Sequence, residues 1–406
     1  MSSRSLLAAA RAIKRPFPSV ALAVGVAIVI AGASGSAQAS TGQAATAARA
    51  AAASSPRQIT ATAPNAPAAA GTWKLLPAAP VTRQLANLVS VWTGHEMIIH
   101  GTFGTYPTRG RVTLAYRPAT NTWTRLARGP AWLSVESGDV AVWTGSRMLI
   151  FGQTNAAYNP AANHWTPVPG PAGPSSRVLG WTGHQLIMWL GSCCGGGSDG
   201  AEAYNPATRT WHKLPAAPLQ TRSAASGTWT GRELVVAGGI IPDGGSAFRN
   251  GAAYNPVTRT WRKIASMPLR HWATTAVWDG KEILFIGGRA GWPGRLAVRG
   301  LAYNPRTNRW RRLPKMGYPR DGFAAVWTGH QLLVWGGLTA ANIPPPHGEA
   351  YNPVTNKWTA LPASPLRGRA FPTAVWTGRH LIVWGGYLPG NTTPPENFTD
   401  GAAYTP

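Results

Sequence analysis

Three short motifs recur in fixed order along residues 71–406, and they constrain the chain more than any other feature. The first is Trp-Thr-Gly, once Trp-Asp-Gly, with its tryptophan at Trp92, Trp143, Trp181, Trp229, Trp278, Trp327 and Trp376; the last four lie 49 residues apart. The second is Tyr-Asn-Pro or a near variant, at Tyr116, Tyr158, Tyr204, Tyr254, Tyr303, Tyr351 and Tyr404. The third is a tryptophan about seven residues after the tyrosine, at Trp123, Trp165, Trp211, Trp261, Trp310 and Trp358. A repeated unit of this length cannot bury its own apolar face and must stack on its neighbours.

Each unit reads as four short strands, A to D. In 320–364, "FAAVW" is strand A, and the turn "TGH" lets Gly329 take positive φ. "QLLVWGG" is strand B and "GEAYN" strand C. The turn "PVTN" uses Pro353 to preset φ and Asn356 to enter the left-handed region, and "KWTALPA" is strand D. Strand A ends in small residues, as in "TTAV" at 274–277 and "PTAV" at 372–375, which suits the innermost strand of a ring. The expectation is an all-β, seven-bladed β-propeller with the aromatic anchors packed between blades.

There are seven A–B–C sets but only six following D strands. The missing partner is "TWKLLPA" at 72–78, ahead of every other motif. It is expected to pair with Gly401–Tyr404 and close the ring as strand D of blade 7.

The units resemble kelch repeats, in which a double glycine after strand B precedes a spaced tyrosine and tryptophan. Gly238-Gly239, Gly287-Gly288, Gly336-Gly337 and Gly385-Gly386 carry that likeness; blades 1 to 3 depart from it, with "HGTF", "FGQT" and "WLGS" in its place. The resemblance implies a kelch-type propeller like the central domain of galactose oxidase or a bacterial secreted kelch protein. Kelch propellers include binding modules and sugar-active enzymes, so the likeness specifies fold more than function.

In a four-stranded meander the A–B and C–D turns share one face, and the B–C and D–A connections share the other. The A–B and C–D turns are short and uniform, as scaffold turns are. The B–C loops vary widely, at 101–114, 191–202, 240–251, 289–300, 338–349 and 387–401, and variable loops on a rigid frame are where binding resides. Seven residues before the strand A tryptophans stand Glu136, Arg222, His271, Arg320 and Arg369. This spacing predicts a ring of ligand-binding groups round the channel mouth, suited to carboxylates, sulfates and sugar hydroxyls; bonding between neighbouring blade loops is the alternative.

Residues 1–39 read as a secretion signal, with a basic start (Arg4, Arg11, Lys14, Arg15), an apolar run from Val20 to Ala31 and an Ala37-Gln-Ala39 cleavage site. An uncleaved anchor is the alternative. Residues 40–70 read as a disordered Ala/Thr/Pro linker, leaving 71–406 as the propeller. A secreted or cell-envelope location follows, with no membrane span after cleavage. Beyond the signal, 34 basic residues face 13 acidic ones, which favours anionic partners or reflects general arginine usage. No basic block or RNA-binding aromatic motif points to nucleic acid.

Cys193 and Cys194 are adjacent in one B–C loop. Neighbouring Cα atoms stand ~3.8 Å apart, below the usual disulfide range of about 4.4–6.8 Å. A strained vicinal disulfide is expected in an oxidising compartment, with two free thiols the alternative.

The expected function is that of a monomeric binding module for a carbohydrate, anionic wall polymer or protein, with no cofactor and no metal. A sugar-active enzyme resembling kelch sialic-acid epimerases is the alternative; Glu136, His271, Glu202 and Glu349 are its acid/base candidates. A copper-radical oxidase is disfavoured because His95, His184 and His330 lie in or beside A–B turns and no Tyr-His pair occurs.

Overall fold

In a computed structural model of the chain, the described residues are 71–104, 110–136, 138–152, 154–170, 177–191, 200–241, 245–291, 294–345, 347–388 and 396–406. The expected signal and linker, and Cys193 and Cys194, lie outside them. The described residues form strands and turns with no helix. Seven antiparallel four-stranded sheets are present among them. Blade 4 shows the pattern: Ser226–Trp229, Leu234–Ala237, Gly251–Asn255 and Thr260–Ile264 pair in chain order.

The turns explain the motifs. Every A–B turn carries a glycine at positive φ, such as Gly329 at 97°. The threonine before it closes the turn: Thr328 Oγ1 accepts from the Gln331 amide at 2.9 Å and donates to the Gln331 carbonyl at 3.1 Å. Asp279 does the accepting in blade 5. In the C–D turns Asn121, Asn163, Asn308 and Asn356 adopt positive φ, as expected for Asn356. Each also accepts a bond from its own blade's tyrosine, as when Tyr351 Oη donates to Asn356 Oδ1 at 2.8 Å.

Strand B is buried throughout in most blades, and its side chains alternate between the two neighbouring sheets. Thus Leu234 and Val236 pack with blade 3, whereas Val235 and Ala237 pack with blade 5. The A strands lie against one another, as small residues there allow. Contact passes from sheet to sheet and returns. Val375, Ile382 and Trp384 of blade 7 pack with Met97, Ile99 and Leu114 of blade 1, and the Ser90 and Thr373 hydroxyls bond across the same seam.

The N-terminal strand Thr72–Leu75 is antiparallel to Gly401–Thr405, with Trp73 opposite Tyr404. It is shorter than the expected 72–78. The Leu76 amide adds one more bond, to the Gly401 carbonyl, and Pro77 then ends the ladder for want of an N–H.

Two B–C loops hold more order than expected. In blade 5, Arg289–Ala290 and Arg295–Leu296 form a hairpin that also pairs with His271–Trp272 of the D–A connection. In blade 7, Tyr387–Leu388 pairs with Glu396–Asn397.

Candidate functional site

The five residues expected to ring the channel mouth stand in different surroundings. Arg222, Arg320 and Arg369 are fully buried. Each Nε donates to the carbonyl two residues back, on Gln220, Tyr318 and Arg367, at 2.8–3.0 Å. Each Nη1 reaches the first glycine of its blade's pair, at Gly238, Gly336 and Gly385 (3.0–3.4 Å). The remaining donors turn to the approach of strand C: the Asn250 and His347 carbonyls, the Glu349 carboxylate at 2.7 Å and the Asp400 carboxylate. Aromatic rings cover two of the guanidiniums, Phe248 at 4.1 Å from Arg222 and Phe398 at 3.8 Å from Arg369.

These arginines are therefore internal pins. The chain leaves strand B through glycines at positive φ, so carbonyls there turn out of the ladder and need donors. A rigid five-donor fork can satisfy several at once, which no lysine could do. Spacing places such a residue on the loop-bearing face but does not tell which way it points. Burial pulls the Arg320 pKa down, against the opposing charge of Glu349.

The glycine pairs also join blades. The Gly337 amide donates to the Arg369 carbonyl at 2.9 Å, and a Cβ on Gly336 would stand 2.8 Å from that same oxygen. Gly239 and His271 repeat the bond at 3.0 Å.

His271 holds the pin position in blade 5. It is 2% exposed, and neither ring nitrogen has a partner. Burial pulls its pKa down to about 4, so it is neutral. Glu136 alone of the five reaches the surface, and it accepts from Asn87 Nδ2 at 3.3 Å and Ser134 Oγ at 3.2 Å. Four of the five thus bond to neighbouring protein groups, and His271 is buried without a hydrogen-bond partner for its ring. The acid/base candidates fare likewise: Glu349 is buried against Arg320, and Glu202 sits within strand C of blade 3, opposite Met188 and Lys213.

The loop-bearing face offers other groups to solvent. Trp132 (43%), Ile241 (42%) and Ile343 (63%) are exposed on three separate loops of it. Between blades 6 and 7 a 250 Å³ groove is lined by Trp335, Pro344, Pro345, Leu366, Arg367 and Leu388. Arg367 pairs with Glu396 at 2.6 Å on its rim. Sequence reasoning passed over these residues because single apolar residues in loops carry no periodicity. It also gave the opposite face to the scaffold, yet a 520 Å³ recess lies there between blades 7 and 1, lined by Trp92, His95, Arg117, Pro118 and Thr377. Among the described residues no group of three or more His, Cys, Asp or Glu could hold a metal ion.

The Kelch motif matches residues 221–268, from the Arg222 pin through the Gly238-Gly239 pair, Tyr254 and Trp261. No curated protein matches the chain. Kelch propellers typically bind protein partners. Residues 221–268 thus carry a Kelch motif, and the same anchors recur in the four-stranded sheets on either side, an all-β arrangement of blade-like sheets consistent with a kelch β-propeller.

Proposed function

We propose that this protein is a secreted binding module that seats a protein partner on its B–C/D–A face. The carrying observation is that Trp132, Ile241 and Ile343 are exposed on three loops of that face, two of which, those of Ile241 and Ile343, are tied down by the buried Arg222 and Arg320. Exposed apolar groups on a stiff frame lose little conformational entropy on association, and aromatic anchors supply most of the energy. The groove between blades 6 and 7 adds a recess of mixed polar and apolar lining with Arg367 at its edge. The basic balance of the mature chain supports a second reading, an acidic glycan or wall polymer on the same face.

Site-specific photocrosslinking tests the protein-partner reading. Benzoylphenylalanine replaces Ile343 on the loop-bearing face or Val354, which is 90% exposed in a C–D turn on the other. Incubated with the exported and surface proteins of the source cell, the 343 probe is expected to give a discrete adduct and the 354 probe none. Equal labelling from both positions, or no adduct at 343, overturns that reading.

A further inference from the structure

We propose that the face of the A–B and C–D turns, over blades 3 to 5, binds a linear acidic polysaccharide. Arg232 and Lys281 stand at the tips of two A–B turns there, and Arg209, Arg259, Arg306 and Arg309 stand in three C–D turns; all six are exposed. Arg209 is held by the Pro167 carbonyl at 3.0 Å and by the Tyr204 hydroxyl. The side chains of the other five have no ion pair or hydrogen bond among the described residues.

The carboxylates of the same turns are all engaged. Glu233 pairs with Arg262 and Glu282 with Arg311, each at 2.6 Å. Asp279 accepts the Lys281 and Glu282 amides at 2.7 and 2.6 Å. The surface is therefore cationic, and its complement is an anion.

Two of the arginines are kept at a conformational cost. Arg209 and Arg259 take φ of 58° and 56° at the place where Asn121, Asn163, Asn308 and Asn356 stand in other blades. Asparagine enters this region readily and a long side chain does not. In blade 4 the exchange also forgoes a bond: Tyr303 donates to Asn308 at 2.9 Å, and Arg259 offers Tyr254 no such acceptor. A strained residue, where the same chain uses a relaxed one elsewhere, points to a use outside the fold. The backbone beside the A–B tips is open as well, since a Cβ on Gly231 or Gly280 would meet nothing within 4 Å.

The chemistry of the surface selects the ligand. A protein partner is held by buried aromatic and apolar anchors, a bilayer is entered by Trp, Phe or Leu, and single-stranded nucleic acid stacks on aromatic rings. Val257 is the one exposed large apolar side chain of this sector among the described residues. What remains is charge and the arginine fork, which suit carboxylate and sulfate oxygens. Repeated along one flexible chain, such groups add many weak contacts where a lone ion makes one.

The full-chain protein is titrated with heparin, a sulfated polysaccharide, and with alginate, a carboxylated one. Saturable binding of at least one is expected. It weakens at least tenfold in the triple variant Arg232→Ser, Arg259→Asn, Lys281→Ser, whose new residues match Ser146 and Asn308 at the equivalent places. It changes less than twofold when three exposed cations of the other face are removed, in Arg83→Ser, Arg295→Ser, Lys315→Ser. Arg259→Asn alone is expected to bind more weakly while melting at the same or a higher temperature, an outcome that a merely structural arginine would not give. Tighter heparin binding assigns sulfate esters, tighter alginate binding assigns carboxylates, and equal binding assigns both. No saturable binding, equal weakening in the two triple variants, tighter binding of single-stranded DNA, or a lowered melting temperature in Arg259→Asn each overturn the proposal. The photocrosslinking probe at 343 reads the opposite face, so the two tests fail independently.

Discussion

Trp73 donates its indole N–H to the carbonyl of Pro362 at 3.1 Å, across 289 residues of sequence. The bond belongs to a chain of equivalents. Trp123 donates to Pro77, Trp165 to Ala127, Trp211 to Pro169, Trp261 to Pro215 and Trp310 to Ala265, each reaching the end of strand D in the preceding blade. Trp358 breaks the series, its Nε1 buried without a partner. The N-terminal strand is thus both donor, through Trp73, and acceptor, through Pro77. It is stapled to blade 6 on one side and blade 1 on the other.

Replacing Trp73 by Phe keeps most of the ring contact with Tyr404 and Trp335 but leaves the Pro362 carbonyl without its donor. The expected loss is about 1 kcal/mol in urea unfolding, typical for one net hydrogen bond. A change near zero would show that the carbonyl is satisfied by water.

Deleting residues 71–79 removes the outer partner of Gly401–Thr405, leaves it paired only with Leu381–Trp384, and exposes a sheet edge. The melting temperature is expected to fall far more than on deletion of 40–70. Equal melting temperatures for the two deletions would refute the closing role of this strand.

Arg320→Ala leaves the buried Glu349 carboxylate without its counter-charge, with only the backbone amides of Gly317 and Tyr318 to bond it, and takes a donor from the Gly336 and His347 carbonyls. The expected cost is about 3–5 kcal/mol, as for breaking a buried pair from one side. Arg320→Lys is also expected to destabilise, because a point charge cannot serve carbonyls on three segments. A fully stable Arg320→Ala protein would return this residue to the list of ligand contacts.

His271 is neutral in the fold, with its pKa lowered by burial to about 4 from the ordinary histidine value of 6.5. The unfolded chain therefore binds more protons between these values, and stability is complete above pH 6.5 and declines as pH falls towards 4. The loss approaches ~3 kcal/mol at about 1.4 kcal/mol per pKa unit. His100, lowered to about 3 by burial and by Arg111, acts in the same direction. His271→Leu is expected to flatten the acid limb by roughly half in denaturation curves at pH 4 and 7. An unchanged limb would show that His271 is protonated without cost.

Export is tested by the mass of the protein recovered outside the cell. Cleavage after Ala39 gives a mature chain beginning at Ser40. Recovery of only the full-length chain in the membrane fraction would favour the anchor reading.

Much of the frame was legible because its determinants are local. A glycine in an A–B turn, an asparagine at positive φ and a tyrosine five residues ahead of it act within one turn, so their spacing survives in the sequence. The pairing of residues 72–75 with 402–405 was legible by counting, since six D strands for seven sets leave one place open. For the buried arginines the spacing left two readings open, a ligand-facing ring or bonds to loops, and their side chains bond to loop carbonyls. Whether Arg222 faces a ligand or the carbonyls of Gly238 and Asn250 depends on where a loop from another strand passes, and the residue's neighbours in sequence do not contain that. The groove of blades 6 and 7 and the recess of blades 7 and 1 have the same origin. Each is assembled from connections far apart in the chain, and only the packing of blade against blade decides which of their side chains share a wall.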